Sequence, residues 1–263
     1  GHTGTRDVRN DQINWTPLSK PLSECTVGLF TTGGIHLRDD EAFDVASAHG
    51  DWTFRQVPTD VDTSRLVVTH SHYNHVDADR DVNCMFPLDR LRELADQGVI
   101  GGVAKFAYSI MGFNPDPARL LDETAPELAR RYQQEGADLV LMTCGCPICH
   151  RSVGLVQNQV EAAGVSTVSM TVQPHITGVV AVPRAAYIRY PAGNQLGEAG
   201  KPRQQRSIIT AVLEAAGRIE SAGSIIELPF RWRRFPIHEE PQCTNESQGP
   251  RHLQVEAIGR SLD

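Results

Sequence analysis

The sequence predicts an α/β fold with a mainly parallel sheet, helices on both faces and Rossmann- or flavodoxin-like βαβ units. Short apolar segments alternate with stretches of helical period along most of the chain, which is typical of such units. The clearest unit is the apolar run 137–142, which is followed by a cysteine-bearing turn and an amphipathic segment. With 263 residues, the chain is long enough for one large domain or two small ones.

Apolar runs and apolar spacing give the individual elements. The predicted strands are residues 25–32, 64–69, 99–108, 139–142, 165–171 and 185–190. The predicted helices are residues 87–95, 124–135, 147–163 and 202–216. Residues 35–62 have no clear period and are predicted to form a loop. Thr124 and Glu127 have the spacing of a capping box, and Gly136 is expected to end that helix.

The chain divides into three predicted regions. Residues 1–22 form a polar arm, in which Pro17 and Pro21 disfavour regular structure. Residues 23–235 form the α/β catalytic domain, either as one unit or as two similar halves. Residues 236–263 form a polar C-terminal tail.

Composition excludes several classes of partner. The net charge of −7 argues against nucleic acid, which requires a basic face. No run of about 18 apolar residues is present, so we expect no membrane span. The first residues lack an apolar signal core, which favours a cytoplasmic protein. Whether the protein forms a homo-oligomer is left open by the sequence.

Four conspicuous segments follow predicted strands. They are residues 31–34, 70–75, 144–150 and 193–200. In a parallel sheet, working groups lie beyond the carboxyl ends of the strands. If these strands are parallel neighbours, the four segments line one crevice, as in an enzyme.

The segment 144–150 contains a Cys-Pro-Ile-Cys unit. Pro147 suits the first helical position, which places Cys146 at the cap of the helix, where a thiol ionises easily. Cys149 is three residues away and can form a disulfide with Cys146. Cys144 adds a third thiol, and His150 could donate a hydrogen bond to one of the three. A zinc ion or an iron–sulfur cluster held by these cysteines with Cys84 is the alternative.

Three histidines occur within the segment 70–75. His70, His72 and His75, with Asp77, could bind a divalent metal such as zinc or iron. The pattern resembles HxHxDH metallohydrolases superficially, although Asn74 stands where their Asp is expected. Histidines that transfer protons or bind substrate are the second interpretation, and a polar capping loop is the third.

Residues around the expected crevice are predicted to bind substrate. The turn after the first strand allows close approach of a ligand, and the loop after the strand 185–190 could close over it. The predicted binding residues are Thr32, Gly33, His36, Tyr73, Asn74, Tyr190 and Gly193.

Several of these motifs resemble one known family. The runs 29–36, 69–81, 146–149 and 190–200 are similar to the selenoprotein B family of glycine/sarcosine/betaine reductases, with D-proline reductase a more distant relative. The resemblance covers about residues 12–217. It implies reductive cleavage of a C–N bond in a small amine, with attack by a selenocysteine that lies three residues before a cysteine. Those two positions are Cys146 and Cys149 here, so an ordinary cysteine replaces the selenocysteine.

The leading prediction is therefore a thiol-dependent oxidoreductase that acts on a small molecule. Cys146 attacks the substrate, Cys149 resolves the adduct, and a thioredoxin-like or small-thiol reductant restores the pair. The alternatives are a metal-dependent lyase or hydrolase that uses the three histidines, and a non-catalytic protein with a cysteine-bound metal or a sensing thiol.

Overall fold

The structure, a computed structural model, describes residues 8–232 and the backbone of residues 251–253. Apart from 251–253, the predicted C-terminal tail lies outside the described residues. In the described part, the strands are β1 (Thr26–Thr31), β2 (Ile35–Leu37), β3 (Asp51–Pro58), β4 (Leu66–Val68), β5 (Gly102–Val103), β6 (Phe106–Met111), β7 (Leu139–Thr143), β8 (Ser166–Thr171), β9 (Arg184–Arg189), β10 (Ser224–Arg231) and β11 (Arg251–Leu253). The helices are α1 (Val76–Arg80), α2 (Leu88–Asp96), α3 (Ala125–Gln134), α4 (Pro147–Ala162), α5 (Pro174–Val180) and α6 (Pro202–Arg218).

The main sheet has the strand order β11-β10-β9-β8-β7-β1-β6-β3, and β5 also pairs with β1. All strands from β10 to β6, and also β5, pair in parallel. The flanking strands β11 and β3 are antiparallel. The predicted α/β fold with a mainly parallel sheet is therefore confirmed.

Helices cover both faces of this sheet. Because successive residues of a strand point to opposite faces, the side chains of β7 contribute to two different apolar clusters. Leu139 and Leu141 share one apolar cluster with residues of α2 and α6. Val140 and Met142 share another with residues of α3 and α4. β7 is buried along its whole length, as expected for an interior strand of a parallel sheet.

The strand order changes direction at β1. The chain places β6 on one side of β1, then crosses to the other side and adds β7, β8, β9 and β10 outward. Thr31 of β1 and Thr143 of β7 are register partners at the carboxyl ends of their strands. This edge is the topological switch point, where open α/β sheets bind their ligands.

One local prediction was wrong in the first half of the chain, and one predicted strand lies in a different sheet. Residues 35–62, predicted to be a loop, contain β2 and β3. β3 is an edge strand of mixed exposure, and the Gly and Pro residues nearby obscured its period. The strand predicted at 64–69 exists as β4, but it pairs with β2 in a separate two-stranded sheet.

One predicted helix cap and some elements in the second half of the chain also differ from the predictions. Thr124 has helical backbone angles and makes no cap bond; its hydroxyl donates to the carbonyl of Trp52 instead. Gly136 has a φ of +68° after α3 and ends that helix as predicted. The short helix α5 and the strand β10 were not predicted.

The described part of the N-terminal arm lies along α4. The Asn10 side chain donates to the carbonyl of Gly154 (3.2 Å), and the Thr16 hydroxyl donates to the carbonyl of Glu161 (2.7 Å). Glu161 forms a buried ion pair with Arg184 at 3.2 Å. These contacts hold the helix that carries the cysteines, while the predicted division into arm, domain and tail stays a prediction.

Candidate functional site

Cys146 occupies the N-cap position of α4, as the sequence predicted. Its backbone is extended, Pro147 begins the helix, and the N–H of Cys149 donates to Cys146 Sγ at 3.3 Å. The side-chain hydrogen bond from Cys149 is the main cause that lowers the pKa of Cys146 to about 5, with further help from His70 and against the effect of burial. The structure thus favours a thiolate at Cys146 near neutral pH.

Cys149 contacts both Cys146 and His70. His70 Nε2 is 3.2 Å from Cys149 Sγ, and the peptide N–H of His72 donates to His70 Nδ1 at 3.1 Å. Because Nδ1 accepts this bond, the proton of a neutral His70 ring is on Nε2 and points to Cys149 Sγ. Burial raises the pKa of Cys149 well above its ordinary value, as does its bond to Cys146. The pair is therefore polarised, with the charge on Cys146.

These three side chains also form a compact group of potential metal ligands. His70, Cys146 and Cys149 each offer one ligand atom, all within 4.8 Å of one another, and all three residues are buried. The sequence-predicted set of His70, His72, His75 and Asp77 is not brought together in the described structure. The expectation of a bound metal stays a prediction.

The other members of that set have separate partners. The ring of His72 stacks on Phe113, with centroids 3.9 Å apart. His75 Nδ1 contacts the carboxylate of Asp79 at 2.8 Å, and Asp77 accepts from the amide of Asn194 at 2.9 Å. The physical reason is that Asp77 lies within α1, which begins at Val76, while each histidine ring of the preceding loop contacts a different partner.

Cys144 and His150 bond away from the thiol pair. Cys144 Sγ donates to the carbonyl of Met170 at 3.2 Å, and burial raises the pKa of this thiol well above its ordinary value. His150 Nδ1 lies 2.8 Å from the carbonyl of Cys146, and the N–H of Val172 donates to its Nε2 at 3.2 Å. Burial lowers the pKa of His150 to about 4. Both ring nitrogens bond to backbone, so the predicted hydrogen bond from His150 to a thiol is absent from the described contacts.

Several predicted substrate-binding residues do adjoin the thiols. Thr32 Oγ1 donates to the carbonyl of Cys149 at 3.4 Å. The hydroxyl of Tyr73 donates to the carbonyl of Gly33 at 2.8 Å, and its ring meets the ring of His70 with centroids 4.8 Å apart. Their predicted role in binding substrate stays a prediction.

Glycines allow the ring of Tyr73 to lie close to the backbone. A Cβ on Gly145 would lie 2.6 Å from Tyr73 Cε1. A Cβ on Gly193, whose φ is +93°, would lie 2.6 Å from the carbonyl oxygen of Asn74. The loop that carries Tyr73 and Asn74 is therefore packed directly on the cysteine turn and on the loop after β9.

The remaining two predicted residues have structural contacts elsewhere. His36 bonds to the carbonyl of Leu37 at 2.7 Å and to the hydroxyl of Thr69 at 2.8 Å. The hydroxyl of Tyr190 accepts from Gln204 at 3.4 Å, and its ring meets that of Trp232. His36 therefore holds β2 against the end of β4.

Sequence reasoning missed two residues of the site. A Cβ on Gly112, just after β6, would lie 2.7 Å from Cys149 Sγ, so only glycine leaves room for that thiol. The fully buried side chain of Gln195 donates to the carbonyl of Cys144 and accepts from the N–H of Gly193 at 3.0 Å. The glycine after a third central strand was the available signal for Gly112, whereas nothing local identified Gln195.

Both thiols are covered. Cys146 is 1% exposed and Cys149 is 0% exposed, although the sequence predicted a cysteine facing an open crevice. The residues that cover the two thiols include His70 and Tyr73 from the loop after β4. A reagent or substrate can reach the sulfur atoms only when part of this cover moves.

The fold and this site define an α/β protein with a polarised cysteine pair at the switch point of a parallel sheet, where open α/β sheets bind their ligands. Comparison with known proteins gives the family. Residues 5–145 match the model of glycine/sarcosine/betaine reductase selenoprotein B. The chain belongs to this family, and the resemblance inferred from its motifs is confirmed.

Individual relatives agree with this assignment. The chain is 38% identical over 218 residues to the D-proline reductase subunit gamma of Acetoanaerobium sticklandii, which covers 83% of this chain and 89% of that subunit. It is 28% identical over 213 residues to the glycine reductase complex component B subunit gamma of Carboxydothermus hydrogenoformans, which covers 78% of this chain. Only 48% of that component is matched, so the chain spans about half of its length. No solved structure matches the chain.

Proposed function

We propose that this protein is the thiol-bearing component of a reductase that cleaves a C–N bond in a small amine. The observation that carries the proposal is the position of Cys146 at the start of α4, where its sulfur accepts the N–H of Cys149. The relatives named for D-proline, glycine and betaine support this chemistry. Each of those compounds has its nitrogen on the carbon next to a carboxylate, so we propose substrates of that kind.

The proposed chemistry uses the pair as a two-electron reductant. The Cys146 thiolate attacks the carbon that bears nitrogen, a C–S bond forms, and the amine leaves with a proton. Cys149, deprotonated, then attacks Cys146 Sγ, and the C–S electron pair stays on the carbon, which takes up a proton. The substrate gains two electrons and the cysteines become a disulfide, which an external dithiol reduces by exchange.

His70 supports the second step in this scheme. Its Nε2–H points to Cys149 Sγ at 3.2 Å, so it stabilises negative charge on that sulfur when Cys149 acts as the nucleophile. The peptide N–H of His72 holds the ring in this tautomer. His70 is therefore proposed as a hydrogen-bond donor to the resolving thiol.

Partners are part of the proposal. The names of the relatives describe subunits and complex components, so we propose that further subunits work with this chain and that a thioredoxin-like or small dithiol reduces it. No helix in the described residues has the length and hydropathy to cross a membrane. The cytoplasmic location expected from the sequence stays a prediction.

The test is a pair of cysteine variants, assayed with the subunits that co-purify and with D-proline, glycine, sarcosine and betaine as candidate substrates. Cys146→Ser should abolish turnover. Cys149→Ser should stop after the first step and retain a covalent adduct on Cys146, which mass spectrometry of the intact protein detects. Cys144→Ser is the matched control and should keep the adduct chemistry, because Cys144 Sγ bonds to Met170 instead of the pair. Full turnover by Cys146→Ser would refute the assignment.

The alternative of a metal-dependent lyase or hydrolase with three histidine ligands gains no support from the geometry. His72 stacks on Phe113 and His75 pairs with Asp79. The rings of His70 and His72 meet edge to face with centroids 5.7 Å apart, but in the described residues the three histidines do not form one group of potential ligand atoms. The potential ligand atoms that lie close to His70 are the sulfur atoms of Cys146 and Cys149.

A further inference from the structure

We infer that His70, Cys146 and Cys149 form a binding site for one zinc ion, and that zinc and the Cys146–Cys149 disulfide exclude each other. The three ligand atoms lie within 4.8 Å of one another. In a tetrahedral zinc site, Zn–S bonds of about 2.3 Å and Zn–N bonds of about 2.0–2.1 Å place two ligand atoms roughly 3.6–3.8 Å apart. The observed group therefore needs side-chain shifts of only about 1 Å to enclose the ion.

The backbone already arranges the two sulfur ligands. Pro147 fixes the first turn of α4, and the two cysteines stand three residues apart on that turn. The N–H of Cys149 donates to Cys146 Sγ at 3.3 Å, a bond that can also stabilise a metal-bound thiolate. Thiolate and imidazole together are the donor set that zinc prefers over harder cations.

The three ligand residues are shielded from solvent. Cys146, Cys149 and His70 are at most 5% exposed. Gly112 and the ring of Tyr73 enclose the group from two sides, since a Cβ on Gly112 would touch Cys149 Sγ and the Tyr73 ring contacts that of His70. Three protein ligands leave a fourth position for water or for a donor atom of a small molecule.

Zinc binding requires His70 to change its hydrogen bonds. In the metal-free state, Nδ1 accepts from the N–H of His72, so the proton is on Nε2. Zinc takes the lone pair of Nε2, so that proton moves to Nδ1, and the N–H of His72 must turn away. Ser71 and His72 are exposed, so water can accept a hydrogen bond from this N–H after it turns. Cys149 releases its thiol proton to solvent in the same step.

The site therefore has two exclusive reduced states, and the disulfide is a third state that excludes both. In one, the thiols share hydrogen bonds with His70 and are ready to react; in the other, zinc occupies both sulfur atoms. Zinc has no redox chemistry, so it blocks the pair without oxidising it. Disulfide formation removes both sulfur ligands. The inference needs only reduced cysteines and does not depend on the reductase proposal.

The experiment uses the full chain, reduced with a phosphine and kept without oxygen. Cobalt(II) is titrated as a spectroscopic stand-in for zinc, and zinc affinity is then measured against a chromophoric chelator. We expect one ion per chain, a sulfur-to-cobalt charge-transfer band, and full displacement by zinc. Oxidation of the wild-type protein to the disulfide should abolish binding, and this arm needs no substitution that could disturb folding.

Variants identify the ligands. Cys146→Ser, Cys149→Ser and His70→Leu should each weaken zinc binding by about 100-fold or more, since even outer partners of a metal site contribute about 10–100-fold. His72→Ala, His75→Ala and Cys144→Ser are the matched controls and should bind as the wild type does. A missing charge-transfer band, or binding that survives oxidation, overturns the inference. Loss of binding in His72→Ala or His75→Ala overturns it in favour of the all-histidine site. The reductase assay is independent of all these outcomes.

Discussion

The turn 144–149 continues from β7, whereas the loop 69–75 continues from β4, and these two strands belong to different sheets. β7 is an interior strand between β1 and β8, and the helix that follows the turn is held by the N-terminal arm and by Arg151, whose guanidinium donates to the carbonyls of Asn114 and Pro115. The turn is therefore fixed on every side.

The loop has a lighter support. Among the described strands, β4 pairs only with β2, and all of residues 71–76 are exposed or half-buried. The loop reaches the thiols through two side chains, His70 and Tyr73. In the proposed reaction, the turn therefore supplies the reacting atoms, while the loop supplies contacts that have to be released to admit a substrate.

The largest effect should come from the packing around the turn. Gly112→Ala places a Cβ 2.7 Å from both Cys149 Sγ and Thr32 Cβ. We expect a loss of about 1–3 kcal/mol in the free energy of unfolding, because overpacking a tight core forces its neighbours apart. Chemical denaturation measures the change.

The matched control is Gly217→Ala in α6, where an added Cβ meets nothing within 4 Å. It should raise the free energy of unfolding by about 0.5–1 kcal/mol, because alanine favours a helix more than glycine does. Equal effects of the two substitutions would contradict the tight packing inferred for the turn.

The next effect concerns the ionisation of Cys146. Its pKa is lowered to about 5, mainly by the side-chain hydrogen bond from Cys149 and in part by His70. The ultraviolet absorbance of the thiolate should therefore appear as pH rises through about 5 and should be lost below that value. In His70→Leu the midpoint should move upward, toward the ordinary pKa of a thiol near 8.5.

The control for this titration lies in the same loop. His72→Ala removes a ring but keeps the peptide N–H that holds His70, so the midpoint should stay at its wild-type value. An equal shift in His72→Ala would show that the loop acts through more than His70.

The same two regions show what the sequence can reveal. The cap position of Cys146 followed from local rules alone, because a Cys-Pro pair after a buried strand has few other conformations. The parallel order of β7, β8 and β9 likewise followed from the alternation of apolar runs and helices. The resemblance to the family indicated Cys146 and Cys149 as the matching pair, and this match stays a prediction.

The role of the histidines could not be found in this way. The spacing of His70, His72 and His75 predicts proximity of the ligand atoms only if the loop has one regular conformation. The loop follows β4, whose partner β2 was not predicted. Gln195 reaches the site from a distant part of the chain, and a single sequence contains no signal for that contact.

A smaller effect tests whether the loop can open. In Tyr73→Phe the ring stays but the 2.8 Å bond to the carbonyl of Gly33 is lost, at a cost of about 1 kcal/mol. If this bond helps to keep the loop closed, the alkylation rate of Cys146 should rise by about fivefold, which is the same energy expressed as a population of open loop. Tyr190→Phe removes a hydroxyl that bonds to Gln204 and should leave the rate unchanged. An unchanged rate in Tyr73→Phe would mean that access to the thiols comes from another direction.

The smallest effect is expected at His75. Its contact with Asp79 joins side chains that are 29% and 46% exposed, so His75→Ala should change the free energy of unfolding by less than about 0.5 kcal/mol. The thiolate midpoint and the alkylation rate should both stay at their wild-type values, because the described contacts of the His75 ring are with Asp79 and Tyr73 and include neither sulfur. A shift in either quantity would mean that α1 and the thiol pair are coupled through Tyr73, and the loop would then have to be treated as one rigid unit instead of a support with two independent contacts.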